Sequence, residues 1–260
     1  MIIPDYLETF FLMQSRPDWE SQSLPPLKRS ILPALDEFRF KGVTEYLDGL
    51  VTRIDTPQLS QMHITFFNQI DFDCSRLAQF INSTPTLWAL DSAHVLFRNL
   101  TASVRLRSRT SKIKSGYLRI EISCREPDWQ LSFIEQVCNS SIRPLRMVEH
   151  LYIMYQCWRP VWKNVAIENT LWLQVLLLFT VMKNLYLSKQ FAPGIAAALQ
   201  ELVGSRITEV SASLQIIFVE GLEPSGPFQE KIGQFVAARQ VLGRPISISD
   251  WKIIKGGPRS

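Results

Sequence analysis

Eight short segments in which apolar and polar residues alternate recur along this sequence, with their centres 24 to 34 residues apart. A β-strand places successive side chains on opposite faces, so this alternation predicts eight strands. Spacing of this length is typical of repeat proteins, in which one strand-and-helix unit is stacked many times. The segments are residues 35–40, 61–68, 92–97, 117–123, 149–155, 183–188, 213–220 and 244–251.

Between these segments, apolar residues recur three and four positions apart, as they do from Val43 to Ile54. This spacing forms one apolar stripe along an α-helix and therefore predicts helices that each bury a single face. Asp73 and Asp128 stand where N-caps are expected, and Gly204 stands where a helix should stop. The predicted helices are residues 43–54, 74–81, 131–138, 172–179, 195–203 and 228–236.

The strict alternation of most strands favours one α/β architecture over another. A doubly wound sheet is covered on both faces and has continuous apolar strands, whereas alternation indicates one buried and one solvated face. We therefore predict an open repeat solenoid of degenerate leucine-rich-repeat type, a horseshoe of parallel strands with helices on the outer side. Met182, Leu185 and Leu187 match part of that consensus, although Gln190 stands where an Asn or Cys normally closes the turn. Residues 214–219 break the alternation, so this strand is expected to be covered on both sides.

Length and composition fit one folded unit. The chain has 260 residues, 46% of them apolar, and a net charge of +4, which supports a substantial core and implies no strong polyanion-binding field. Residues 14–33 hold four prolines and several serines, which disfavour helix and strand alike. The predicted organisation is a partial repeat with a Pro/Ser-rich loop over 1–30, a solenoid over 31–251 and a flexible tail over 252–260.

The sequence also favours an intracellular protein, in the cytoplasm or nucleus. Its first residues carry acids where a secretory signal would be basic, and its four cysteines have neither zinc nor redox spacing. The most apolar run, residues 171–182, is too short for the ~20 residues that span a bilayer, so no membrane contact is expected.

Several segments resemble a large family of basidiomycete fungal F-box proteins with degenerate leucine-rich repeats. The resemblance extends from about residue 30 to Trp251. It is carried by residues 32–55 (LPALDEFRFKGVTEYLDGLVTRID), 59–73 (LSQMHITFFNQIDFD), 122–138 (ISCREPDWQLSFIEQVC), 148–153 (VEHLYI), 198–210 (ALQELVGSRITEV) and 224–240 (PSGPFQEKIGQFVAARQ).

The resemblance implies a substrate receptor of an SCF-type ubiquitin ligase. In that family an N-terminal F-box binds the Skp adaptor and the repeats hold the substrate. The Leu-Pro pair at Leu24 and Pro25 lacks the three-helix pattern that follows in an F-box. The chain therefore resembles the recognition half, and binding of the Skp adaptor is expected only if an upstream F-box exists.

Motifs that carry chemistry are missing from the sequence. It has no Walker A loop, no GxGxxG and no GxSxG, and its three histidines, His63, His94 and His150, lack metal spacing. Ser225 belongs to a Pro-Ser-Gly-Pro turn. We expect no enzyme activity, no cofactor and no catalytic or metal-binding residue. The alternative is a compact α/β enzyme of unknown reaction with a cleft at the carboxyl ends of its strands.

A run of basic residues without acids lies between Asp91 and Glu121. It could bind phosphate or an acidic partner, but Ser and Thr fill the gaps and no Phe or Trp is interleaved to stack on bases. A solvated loop is the expected structure, and nucleic acid is an unlikely partner. The run comprises Arg98, Arg105, Arg107, Arg109, Lys112, Lys114 and Arg119.

The predicted function is recognition of a protein partner on the open face of the sheet. Outward strand positions mix charge with Tyr, Phe and Met, as protein interfaces do. Two tryptophans in the loop after residue 156 are added as exposed aromatic anchors, whereas Trp172 lies on an apolar stripe and should be core. The candidate partner-binding residues are Arg39, His63, Phe67, Arg119, Glu121, Tyr152, Met154, Tyr186, Trp158 and Trp162.

Overall fold

The computed structural model describes residues 29–67, 73–108, 116–156, 169–204, 212–223 and 225–252. Within them the chain forms a mixed α/β fold with a large, mostly parallel sheet that does not close into a barrel. The strands are β1 (Ser30–Ile31), β2 (Glu37–Gly42), β3 (Ile54–Asp55), β4 (Gln61–Phe67), β5 (Ser92–Phe97), β6 (Thr101–Arg107), β7 (Tyr117–Ser123), β8 (His150–Tyr155), β9 (Asn184–Leu187), β10 (Ile216–Glu220) and β11 (Ser247–Trp251). The α-helices are α1 (Thr44–Val51), α2 (Ser75–Asn82), α3 (Pro127–Asn139), α4 (Asn169–Leu177), α5 (Ala192–Gln200) and α6 (Pro227–Val241). Short 3-10 helices span Pro85–Leu87 and Arg143–Met147.

All eight predicted strands are present, and a ninth strand, β6, joins them in one sheet. The order across the sheet is β2-β4-β7-β6-β5-β8-β9-β10-β11, while β1 and β3 form a separate parallel pair. Neighbours in the large sheet are parallel except around β6, which is antiparallel to both β5 and β7. The prediction of an all-parallel sheet is therefore wrong at its centre.

Strand β6 lies in the segment that was expected to be a solvated basic loop. Its inward residues Ala102, Val104 and Leu106 are at most 2% exposed, and its backbone pairs on both sides. The arginines of the segment occupy the alternate positions and hide this apolar pattern. Charged residues can thus occupy one face of a strand whose other face is apolar.

The connections between parallel strands all advance in one direction across the sheet, from β2 towards β11. Parallel crossovers are almost always right-handed, so crossovers that advance the same way place their helices on the same side. The helices agree with this arrangement, because they pack in a row: α1 contacts α2, α3 contacts α4, α4 contacts α5 and α5 contacts α6. The β5-β6-β7 meander is the one part of the large sheet that runs backwards.

The core lies between the helices and the inward face of the sheet. One in-register row of inward side chains crosses eight strands, and all but the first are at most 3% exposed. Full burial of such a side chain contributes roughly 1.5–3 kcal/mol. The row is Phe40, Ile64, Ile120, Val104, Val95, Ile153, Leu187 and Val219.

Trp172 is a core residue, as predicted, and is 1% exposed. Its ring centroid lies 6.1 Å from that of Phe97 on β5 and 5.3 Å from that of Phe191 before α5. Tilted and edge-on aromatic packing of this kind adds to the free energy gained by burial. The cluster fixes α4 and α5 against the middle of the sheet.

The six predicted helices are all present, and local signals explain several of their ends. The Ser75 N–H donates to Asp73 Oδ1 over 2.7 Å, so Asp73 satisfies an N-terminal donor of α2. Helices α3, α5 and α6 carry Pro in their first turn, where its missing N–H costs nothing. The prediction that Gly204 stops its helix is wrong, because α5 ends at Gln200 with Glu201 as its C-cap; Gly204 lies beyond that end with a φ of 115°.

Strand β10 departs from the expectation that it is covered on both sides. Ile217 and Val219 point inward and are at most 3% exposed, whereas Ile216 and Phe218 are half-buried on the other face. The guanidinium of Arg239 on α6 anchors the approach to this strand. Its Nη2 donates to the carbonyl oxygens of Ala212 and Leu214, and the side chain is fully buried.

In the part of the chain that the structure describes, no helix combines the length and the apolar character needed to cross a membrane.

Candidate binding face

The face of the sheet opposite the helices, called the open face below, presents one continuous in-register row of side chains across nine strands. Strand pairing brings these residues side by side although they come from almost the whole length of the chain. In parallel pairs, neighbouring strands lie about 4.8 Å apart, so adjacent side chains are in contact range. We call the set the middle row; in spatial order it is Arg39, His63, Arg119, Arg105, His94, Tyr152, Tyr186, Phe218 and Ser249.

The part of the middle row from His94 to Phe218, called the aromatic half, is a stack of four rings. The centroid distances are 4.2 Å for His94–Tyr152, 4.1 Å for Tyr152–Tyr186 and 4.5 Å for Tyr186–Phe218. Successive ring planes deviate by no more than 8°. Because the rings stack on one another, they present their edges rather than their faces to solvent.

Trp251, on the edge strand β11, leans over this stack. Its ring meets Tyr186 at 5.5 Å and Tyr152 at 6.2 Å, both nearly edge-on. Its indole Nε1 donates to the Leu187 carbonyl oxygen over 3.1 Å, which fixes the orientation of the ring. Five aromatic side chains are thus held in one arrangement at this end of the open face.

The other end of the row, from Arg39 to Arg105, is called the cationic half. Arg39 Nε lies 2.6 Å from Glu37 Oε1, and Arg119 forms an ion pair with Glu121. Within the described residues, no hydrogen bond or ion pair joins Arg105 to another side chain, and its buried Nε has no hydrogen-bond partner. The cationic half therefore contains one guanidinium whose charge is not balanced by direct contact.

Burial and the neighbouring charged groups shift the pKa values of two side chains in the cationic half. Burial, reinforced by Arg119 on the neighbouring strand, lowers the pKa of Arg105. Burial also lowers the pKa of His63, and Arg39 acts in the same direction, while Glu37, 3.7 Å away, opposes them. Both shifts mean that this part of the face disfavours additional positive charge.

Five of the predicted binding residues are brought together in the middle row. They are Arg39, His63, Arg119, Tyr152 and Tyr186.

Three more lie elsewhere on the same face. Glu121 and Met154 are each only 8% exposed, so they offer little surface to a partner. Phe67, at the end of β4, is 50% exposed.

The remaining predicted residues, Trp158 and Trp162, lie outside the described residues, as do Arg109, Lys112 and Lys114 of the basic run.

The charged and aromatic residues that shape this site but were not among the predicted binding residues include His94, Arg105, Phe218 and Trp251. A signal for three of them exists in the sequence. His94, Arg105 and Phe218 each hold the central outward position of their strand, equivalent to Tyr152 and Tyr186. Aligning the alternating segments by their central outward residue would have found these three.

The helical side offers little chemistry among the described residues. A depression of about 230 Å³ is lined by Asp73, Cys74, Ser75, Gln136, Asn139 and Ser140. Burial raises the pKa of the Cys74 thiol to about 12, so it is not poised as a nucleophile. No group of three or more His, Cys, Asp or Glu side chains within the described ranges could hold a metal ion.

The arrangement on the open face suits non-covalent binding, because it combines a fixed aromatic cluster with adjacent guanidinium groups. Comparison with known proteins adds no relative from which a ligand could be inferred. No protein-family model matches this chain, and neither a curated protein nor a solved structure shows significant similarity to it.

Proposed function

We propose that this chain is an intracellular, non-enzymatic recognition module that binds another protein on its open face. The observation that carries the proposal is the middle row, in which four stacked rings and Trp251 adjoin a set of guanidinium groups. Aromatic and Arg side chains dominate the energetics of protein interfaces. Nine strands at about 4.8 Å make the face about 38 Å wide, which is sufficient for an interface of ordinary size.

The rigidity of the aromatic half supports this function. Binding normally costs about 0.5–1.5 kcal/mol for each flexible side chain that becomes ordered. Tyr152 and Tyr186 are already confined by rings on both of their faces, and Trp251 is held by its hydrogen bond to Leu187. Binding of a partner would therefore require little additional ordering of these side chains.

We further propose that the sheet belongs to an irregular solenoid of leucine-rich-repeat type. A repeated hydrogen-bond pattern at the strand entrances supports it: one carbonyl accepts from two consecutive N–H groups in the following strand-forming unit. The accepting carbonyls are those of Asp36, Asp91, Glu149 and Lys183, and the N···O distances run from 2.8 to 3.2 Å. The antiparallel strand β6 interrupts the regular array.

The family resemblance indicates which class of protein the partner would belong to. A chain that resembles the repeats of fungal F-box proteins would hold a substrate for an SCF-type ubiquitin ligase. Contact with the Skp adaptor would then require an F-box upstream of the segments described above. The proposal of protein binding on the open face stands independently of that resemblance, because it rests on the geometry of the middle row.

The test replaces both tyrosines of the stack, as Tyr152→Ala with Tyr186→Ala, and uses the variant for affinity capture from a basidiomycete lysate. Tyr46→Ala is the matched control, because Tyr46 is 59% exposed on α1, away from the open face. We expect the wild type and the control to retain the same specific proteins and the double variant to lose them.

Thermal unfolding of the three proteins completes this experiment. Removing the two rings deletes three stacking contacts at about 0.5–1.5 kcal/mol each, so stability should fall by about 1.5–4.5 kcal/mol and the double variant should keep a cooperative transition. If it still captures the same proteins, or if it loses its cooperative transition because the tyrosines are core, the assignment of the binding face is wrong.

A further inference from the structure

Arg105 is an unbalanced charge at the centre of the open face. It is half-buried on β6, and its inaccessible Nε has no hydrogen-bond partner among the residues that the structure describes. Its in-register neighbour on β7 is Arg119, whose Nε is also buried with no partner within the described ranges. Like charges placed directly opposite on paired strands destabilise a sheet, and a buried polar atom without a partner is destabilising as well.

The carboxylates nearby make their direct contacts with other arginines, and Glu121 favours the charged form of Arg105 less than burial and Arg119 oppose it. Glu37 contacts Arg39, and Glu121 contacts Arg119. The open-face positions of β2, β4, β7 and β6 hold five cationic side chains against these two acids. The five are Arg39, Lys41, Arg105, Arg107 and Arg119.

The surroundings of Arg105 favour an acidic protein segment over a nucleic acid. Bases stack on exposed ring faces, but both faces of Tyr152 and of Tyr186 are already covered by neighbouring rings. Glu37 and Glu121 lie on the same face and would repel a continuous phosphate backbone. A single carboxylate needs only one unpaired guanidinium, which can bind it in a bidentate manner.

We infer that Arg105 binds an Asp or Glu side chain of the partner protein, while apolar or aromatic residues of the same partner segment contact the aromatic half. The inference rests on the proposed function and specifies the chemistry of the partner. Tyr152 lies two strands from Arg105, a distance of about 9.6 Å, which an extended chain covers in about three residues. The bound segment therefore carries an acidic residue about three positions from an aromatic or apolar residue.

The test is selection of phage-displayed random dodecapeptides on the full chain, followed by measurement of the dissociation constants of synthetic peptides. We expect enrichment of an acidic residue about three positions from an aromatic residue. Arg105→Gln should weaken these peptides about tenfold or more, as should replacing the peptide's acid by its amide. Arg107→Gln is the matched control, because Arg107 is exposed on the same strand and face and its replacement removes the same charge; it should change binding less than about threefold.

Stability separates a binding residue from a structural one. If Arg105 is kept for binding, Arg105→Gln removes an uncompensated charge and should raise the melting temperature of the free chain by a few degrees, while Arg107→Gln leaves it unchanged. A variant that is more stable yet binds less is the expected signature. A large fall in melting temperature would identify Arg105 as a structural cation and overturn the inference.

The remaining outcomes distinguish the two proposals. Selected peptides that depend on Tyr152 and Tyr186 but not on Arg105 would overturn the acidic anchor and leave the binding face intact. Peptides insensitive to all three residues would overturn both. Tighter binding of a single-stranded RNA oligonucleotide than of any peptide, lost in Arg105→Gln, would overturn the protein partner in favour of nucleic acid.

Discussion

His63 is held between charged groups from both neighbouring strands. Arg39 and Glu37 approach from β2, Arg119 from β7, and Arg105 adds its charge from β6. Burial and the three arginines lower the pKa of His63, and the single opposing influence, Glu37, does not offset them. The folded protein therefore resists protonation of a histidine that the unfolded chain protonates readily.

This arrangement predicts a loss of stability in mild acid. Above the unfolded pKa of about 6.5, His63 is neutral in both states and has no effect. As the pH falls below about 6.5 towards the lower folded pKa, the unfolded state gains a proton that the folded state does not, so the free energy of unfolding falls. Urea unfolding of the wild type and of His63→Gln between pH 7.5 and 5 should show a shallower decline in the variant; parallel curves would contradict the assigned shift.

Individual residues were predictable where local pattern alone decides their orientation. Alternation placed Tyr152, Tyr186 and His63 on the outward face, and the structure confirms those orientations. It could not show that Met154, also outward, retains only 8% of its surface. It could not show that Arg105 stands beside His94 either, because register across strands is set by tertiary pairing rather than by the neighbours in sequence.

At the scale of single elements, β6 is the part of the fold that sequence reasoning missed. Its sequence, TASVRLR, contains an inward apolar pattern of small and medium residues. The arginines at the alternate positions give the segment the composition of a charged loop and obscure that pattern. The tight path that leads into its partner β7 depends on Gly116. A Cβ added there would lie 2.5 Å from the Thr86 carbonyl oxygen and 3.3 Å from Leu90 Cδ2.

Two glycine substitutions should consequently change stability in opposite directions. Gly116→Ala should lower the free energy of unfolding by about 1–3 kcal/mol, because a backbone oxygen blocks the new methyl group. Gly233→Ala, in the exposed interior of α6 where nothing lies within 4 Å, should raise it by about 0.5–1 kcal/mol. Equilibrium urea unfolding measures both; equal effects would mean that the Thr86 contact does not constrain the entry to β7.

At the scale of the whole molecule, the fold is a row of units in which each strand pairs only with its immediate neighbours. The helices repeat this order, since each of α4, α5 and α6 contacts the adjacent helix. The inward residues Phe38 and Phe40 on β2 and Ile248 on β11 are only half-buried, whereas those of the central strands are fully buried. In the solenoid proposed above, stability would be the sum of local and nearest-neighbour contributions.

Amide hydrogen exchange should therefore vary across the sheet. We expect the backbone N–H groups of β5 and β8 to be the most protected, and those of β2 and β11, at the two edges of the described sheet, to exchange through local opening at lower free energy. Mass spectrometry of peptic fragments measures the gradient. Uniform protection across all nine strands would indicate a single cooperative unit instead.

The class of fold was predictable because it depends on periodicity, which most strand and helix segments carry in their own sequence. Six helices and eight strands followed from spacings of 3.6 and 2 residues. The reversed meander was missed because β6 was not recognised as a strand; the three residues that link β5 to β6 are too few for a parallel crossover and require an antiparallel pair. Val104 and its neighbours fit between β5 and β7, which immediately precede and follow β6 in the chain.

The meander also changes the order in which a bound segment would contact residues from successive parts of the chain. A partner lying along the middle row meets residues from progressively later parts of the chain at both ends, from Arg39 to His63 and from Tyr152 to Phe218. In between it meets Arg119 first, then Arg105, then His94, so these three residues follow one another in reverse chain order. Substitutions confined to residues 92–123 would change the side chains at the centre of the middle row and leave both ends of the row unaltered.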